Sequence, residues 1–156
     1  MIRLKKSKLL LLVSVLLSLV LVQLSYATVM NLSVHGGEEV TQSLNLAVED
    51  HVLIKFNVIG GQSGNTLDFY LTCPNGTSKI AYVGVGSVSY NFICDEEGEY
   101  VLHFSNLGSS EDKFVSLDYE VQHYVFGVPQ MLFLTVIIVI VCVAAVAVFI
   151  FMGKQH

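Results

Sequence analysis

Val88-Ser-Tyr90-Asn-Phe92-Ile-Cys94-Asp-Glu-Glu-Gly98-Glu-Tyr100-Val-Leu-His-Phe104 is the stretch that decides the fold. Val88, Tyr90, Phe92 and Cys94 alternate with Ser89 and Asn91; after the charged turn at Glu97-Gly98, Tyr100, Leu102 and Phe104 alternate with Glu99, His103 and Ser105. A period of two with one apolar face is the signature of strands whose sheet is half exposed to water. The pattern extends both ways. Leu44, Leu46 and Val48 carry it, as do Val52, Ile54, Phe56 and Val58, then Leu67, Phe69, Leu71 and Cys73, and last Val115, Leu117, Tyr119 and Val121. Turn signals separate the runs at Gly36-Gly37, Gly60 to Asn65, Pro74-Asn75-Gly76, Gly84 to Gly86 and Gly108 to Ser110. Seven or eight short antiparallel strands at this spacing predict an all-β fold, a jelly-roll-like β-sandwich stacked across one shared core.

Both ends of the 156-residue chain are apolar and of different kinds. Arg3, Lys5, Lys6 and Lys8 precede a Leu/Val run from Leu9 to Val22, which closes on Ser25, Tyr26 and Ala27. A basic head, an apolar middle and small residues at the minus-3 and minus-1 positions describe a secretory signal peptide over 1–27, cleaved between Ala27 and Thr28. An uncleaved N-terminal anchor is the alternative. From Met131 to Met152 there are 22 residues without a charge, about 33 Å of helix, enough to cross a bilayer core. A helix apolar around its whole circumference could not be covered by the hundred residues that remain. The span is therefore expected over 129–152, with Pro129 in the first helical turn, Tyr124 and Phe126 at the outer interface, and Lys154 in a short cytosolic tail over 153–156. The layout is that of a type I single-pass membrane protein with the domain over 28–126 outside the cytosol.

That exported segment holds three Lys, no Arg and all 13 Asp and Glu, a formal charge of −10. Nucleic acid is excluded as a partner, because no cationic patch can replace counterions along phosphates. Anionic lipid headgroups would repel it as well. The acidity serves solubility or the binding of cations or a basic partner.

The phrase Leu67-Asp-Phe-Tyr-Leu-Thr-Cys-Pro74-Asn-Gly76, with Tyr90-Asn-Phe92 and Glu97-Gly98-Glu-Tyr100-Val-Leu-His-Phe104-Ser-Asn106, resembles the Golgi-dynamics (GOLD) domain, the luminal module of the emp24/gp25L-like cargo receptors of the early secretory pathway. In that family a strand ends in a Pro-x-Gly turn, matched by Pro74 and Gly76. A later strand carries Gly-x-Tyr, two residues, then Cys-Phe-x-Asn, matched by Gly98, Tyr100, Phe104 and Asn106. His103 stands where the family has the cysteine. The coiled-coil helix before the anchor and the coat-binding tail signals have no counterpart, so coat recruitment does not transfer. The resemblance implies a membrane-tethered β-sandwich that binds proteins or lipids.

Cys73 and Cys94 both fall on the apolar phase of their strands and are expected to point into the core. In an oxidising compartment they are candidates for a disulfide closing a loop of about 20 residues and stabilising by about 3 kcal/mol; two buried free thiols are the alternative. Cys142 lies in the span as a packing residue. The sequons Asn31-Leu-Ser33 and Asn75-Gly-Thr77 offer glycosylation at Asn31 and Asn75, the latter in a tight turn where a glycan is solvated.

No enzyme is expected. His35, His51, His103, His123 and His156 lack metal-ligand spacing, and no Ser/His/Asp or Cys/His arrangement follows from the order of residues. A cupredoxin-like copper site needs a His close behind Cys94 and a Met on the same loop; the next His is His103 and the next Met is Met131. Asp95, Glu96, Glu97 and Glu99 can be read as a calcium site or as a solvated hairpin tip, and the tip is preferred. No cofactor is expected. The expected function is a membrane-anchored interaction module that recruits a protein or lipid through its sandwich. The alternatives are a small accessory subunit, or homo-oligomer, associating through Ala144, Ala145 and Ala147 of its span, and a metal-binding exported domain.

Overall fold

The computed structural model describes residues 27–60 and 64–153. Residues 1–26 of the expected signal peptide and 154–156 of the expected tail lie outside the described residues, whereas Ala27 is the first residue of a strand.

Eight strands build the sandwich: β1 Ala27–Val34, β2 Glu39–Leu46, β3 His51–Ile59, β4 Leu67–Thr72, β5 Ser78–Val85, β6 Ser87–Ile93, β7 Gly98–Ser105 and β8 Lys113–Gln122. They form two four-stranded sheets, sheet A in the order β1-β8-β3-β6 and sheet B in the order β2-β7-β4-β5, and every pairing is antiparallel. Strands alternate between the two sheets except at the β4–β5 hairpin, which lies within sheet B, and the eighth strand returns beside the first. This is the eight-stranded jelly roll of two Greek keys.

The alternation decides which side chain enters the core. In β3, Val52, Ile54, Phe56 and Val58 are buried while His51, Leu53, Lys55, Asn57 and Ile59 face out; in β7, Tyr100, Leu102 and Phe104 are buried from the other sheet. Aromatic rings bind the sheets together. Phe56 of sheet A meets Phe69 and Phe104 of sheet B at centroid distances of 4.8 and 5.2 Å, and Phe92 meets Tyr100 at 5.6 Å. These tilted and edge-on pairings add about 0.5–1.5 kcal/mol each to the burial of the rings.

Four details differ from the sequence expectation. Val48 leaves the apolar phase: β2 ends at Leu46, Glu49 takes a φ of +70°, and Val48 stands 51% exposed in the β2–β3 turn. Cys73 is only half-buried, because β4 ends at Thr72 and the thiol follows it into the turn, whereas Cys94 is buried; both are free thiols in the structure. β1 and β5, which the alternation did not single out, are outer strands of their sheets, as β6 and β2 are at the opposite edges. Pro129 belongs to a small hairpin of β9 Tyr124–Val125 and β10 Val128–Pro129, whose two-residue turn puts Phe126 and Gly127 at φ +54° and +72°.

The helix α1 spans Gln130–Gly153. Its stretch Gln130–Val148 is long and apolar enough to cross a membrane by length and composition.

Candidate functional site

Side chains on the outward phase of sheet B come from three adjacent strands. Register places Thr41, His103, Tyr70 and Ala81 in one row, with Glu39, Ser105 and Asp68 in the row beside it. From these rows a polar cluster assembles. His103 Nδ1 lies 2.7 Å from Glu39 Oε1, Thr72 Oγ1 lies 3.1 Å from His103 Nε2, and the Tyr70 hydroxyl donates to both Glu39 oxygens at 2.8 Å. The Tyr70 and His103 rings stack at 4.2 Å, 11° from parallel.

The donor inventory orders the cluster. A carboxylate only accepts, so His103 presents Nδ1–H to Glu39, and in the neutral ring Nε2 accepts from the Thr72 hydroxyl. The hydrogen bond from His103 holds the Glu39 carboxyl below its usual range, while burial, and then Glu39 itself, push the Tyr70 phenol up. The chain Thr72, His103, Glu39 has the hydrogen-bond order of a nucleophile, a base and an orienting carboxylate. Acyl transfer also needs donors for an oxyanion. β4 is paired on both sides, and the amide of Cys73 donates to Thr77 O at 2.8 Å. The geometry is that of a fixed cluster whose aromatic and polar groups are held in place by hydrogen bonds to one another.

The residues of the family pattern do structural work. Gly98 opens β7 at φ +144°, and a Cβ there would stand 2.9 Å from the Cβ of Pro74. The Pro74 turn thus seats on the start of β7, and the two halves of the pattern touch. Tyr100 is fully buried, its hydroxyl donating to Glu96 O at 3.1 Å; burial pushes this phenol up to about 12. Phe104 fills the aromatic centre of the core. Asn106 Nδ2 donates to the carbonyls of Val34, His35 and Glu111 at 3.3, 3.2 and 2.8 Å, tying the end of β1 to the β7–β8 loop. Gly76 completes the turn after Pro74.

The remaining candidates are scattered. Asn75 sits exposed in its turn, and its Oδ1 accepts from Thr77 N and Oγ1 at 2.9 and 2.6 Å. Asn31 is exposed on edge strand β1, opposite Ser116. Ala27 and Thr28 open β1, opposite Glu120 and Tyr119. Asp95 pairs with Lys79 at 2.8 Å, and the acidic turn around it is exposed. His35 pairs with Asp112 at 3.0 Å, His51 stacks on Tyr124, and His123 Nδ1 lies 2.9 Å from the buried Asp50 carboxylate. Among the described residues no three His, Cys, Asp or Glu side chains converge as a metal site.

Sequence reasoning placed His103 on the outward phase but missed Glu39, Tyr70 and Thr72 as its partners. Their phase was legible. What brings them together is the β2-β7-β4 pairing, across 64 residues for Glu39 and His103.

A family model described as emp24/gp25L/p24 family/GOLD matches residues 29–130. No curated protein matches the chain. Among solved structures, the periplasmic inhibitor of g-type lysozyme PliG from Aeromonas hydrophila is 15% identical at a TM-score of 0.48, covering 65% of this chain and 93% of its own. The pre-peptidase C-terminal domain of a Bacillus anthracis collagenase is 16% identical at a TM-score of 0.48, covering 62% and 91%.

Proposed function

The chain belongs to the emp24/gp25L/p24 family of GOLD-domain proteins, and from that premise we propose that it is a membrane-anchored, non-enzymatic interaction module, cargo-receptor-like, that binds a protein or lipid partner through its β-sandwich. The observation that carries the reading is the outward face of sheet B, where Tyr70, Thr72 and His103 are held around Glu39. A stacked aromatic pair with fixed hydrogen bonds loses little side-chain freedom on binding, which is what a recognition surface requires. In this reading 1–27 is a signal peptide cleaved after Ala27, a cut that removes one residue pair from β1. Helix α1 is the anchor, the sandwich faces the cell exterior or a secretory lumen, and Asn75, exposed in its turn, is the better placed of the two sequons to carry a glycan.

Affinity capture with the full chain in mild detergent tests the proposal. Tyr70→Ala together with His103→Ala is expected to abolish capture of the partner, while replacement of α1 by a polyleucine span leaves capture intact. The reverse result, capture lost with the polyleucine span and kept with the altered face, would identify an accessory subunit held by its helix instead.

A further inference from the structure

At one end of sheet B, the entry to β4, the bend of β5 at Gly84 and the loop between β7 and β8 enclose a groove of about 450 Å³. Lys113 lines it. This lysine lies on the inward phase of β8, two residues before Val115, and is 4% exposed. Its Nζ donates to the backbone carbonyl of Thr66, a neutral partner. Lys113 belongs to none of the ion pairs His35–Asp112, Lys79–Asp95, His103–Glu39 and His123–Asp50. An ammonium taken out of water is costly unless it is paired, and one hydrogen bond to a carbonyl uses one of its three donors. The remaining donors are available to whatever fills the groove.

The other lining groups define that occupant. Asp68 is exposed on the β4 side, its Oδ1 accepting from Gly84 N at 2.8 Å, and Ser105, Ser109 and Glu111 line the groove with it. A phosphate or sulfate beside Lys113 would also meet the Asp68 carboxylate and be repelled by it. A cation alone would be opposed by Lys113. A ligand with one carboxylate and one ammonium meets an opposite charge at each end, and the volume is within the usual range of small-ligand clefts, about 300–1,000 Å³. We infer that this groove binds a small zwitterion, an α-amino acid or short peptide with both termini free, its carboxylate on Lys113 and its ammonium toward Asp68. The groove borders the Tyr70–His103 face through the row of Asp68 and Ser105, and it does not depend on the partner proposed for that face.

Calorimetric titration of the full chain in detergent with diglycine and triglycine tests the inference. Saturable binding is expected, weakened tenfold or more for triglycine amide, which lacks the carboxylate, and for N-acetyl-triglycine, which lacks the ammonium. Lys113→Met keeps the buried stem and removes the charge; it should abolish binding while the thermal unfolding transition persists. Asp68→Asn should weaken triglycine and leave N-acetyl-triglycine unchanged, and it carries the test should Lys113→Met fail to fold. Absence of saturable binding by either peptide, equal binding of the amide, or retention of binding by Lys113→Met would each overturn the assignment.

Discussion

Gly98 and Pro74 are in contact in a way that leaves no room for a side chain: a Cβ on Gly98 would lie 2.9 Å from the Cβ and 3.0 Å from the Cγ of Pro74. The backbone adds a second restriction, since φ of +144° at Gly98 is one that residues with a Cβ avoid. Gly98→Ala is therefore expected to destabilise the domain by about 2–4 kcal/mol, from overpacking and backbone strain together. Denaturant unfolding measures it. The double variant with Pro74→Gly, which removes both the Cβ and the Cγ, should recover the overpacking part and not the strain, so a cycle showing no coupling between the two positions would contradict the contact.

Asn106 is almost fully buried, and its one amide nitrogen serves three carbonyls from two segments. Its backbone is used as well: its N–H donates to Glu38 O, and its carbonyl accepts from Gly37 N and Ser109 N. Asn106→Ala leaves buried carbonyls without their donor, at about 1–3 kcal/mol. Asn106→Asp is the more telling change, because a carboxylate cannot donate and would face those carbonyls with a negative charge. It should destabilise more than alanine at neutral pH, read from thermal midpoints.

Much of this architecture was legible along the chain, and the exceptions have physical causes. Six strands announced themselves by period-two alternation because the opposing sheet buries one face of each. β5 did not, since it sends only Ile80 and Val85 toward the core and carries Val83 and Tyr82 exposed. β1 begins where the apolar leader ends, so its own alternation of Met30, Leu32 and Val34 merges into that run. Lys113 shares its phase with Val115 and Leu117, a sign that it is buried; a lysine is so seldom buried that the sign is easily passed over. The cluster of Glu39, Tyr70, Thr72 and His103 was out of reach for a different reason. Phase tells which face a residue takes, whereas only the pairing of β2 with β7 and β7 with β4 tells which residues share it.

The Glu39–His103 pair implies a definite acid response. The folded-state pKa of Glu39 is depressed by the hydrogen bond from His103. A depressed carboxyl contributes stability that is present above its unfolded value, about 4.3, and is lost as pH falls through the folded value. Because the pair is partly exposed, the contribution is small, about 0.5–1 kcal/mol. Thermal midpoints of the unaltered chain should fall between about pH 5 and about pH 3, and Glu39→Gln should flatten that decline. His103→Ala should flatten it too, by removing the largest cause of the shift; an unchanged slope in both variants would show that the pair does not set it.

Cys94 and Cys73 differ in environment, and their chemistry should differ accordingly. Burial, with Asp50 nearby, pushes the Cys94 thiol up to about 11, and the residue is 2% exposed. Cys73 is half-buried in the turn before Pro74. The thiolate is the form that reacts with alkylating agents, so a thiol that is both inaccessible and reluctant to ionise reacts slowly. Iodoacetamide at mildly alkaline pH is expected to modify Cys73 in the folded protein well before Cys94, which should react only on unfolding. The raised pKa also has a stability consequence. Its contribution is complete below the ordinary thiol value near 9 and is lost as pH rises toward 11, so Cys94→Ala should show a shallower loss of stability over that window. Peptide mapping without reductant reads both residues in one experiment, and a Cys73–Cys94 cross-linked peptide from oxidised protein would show instead that the expected bridge forms and that neither thiol is available.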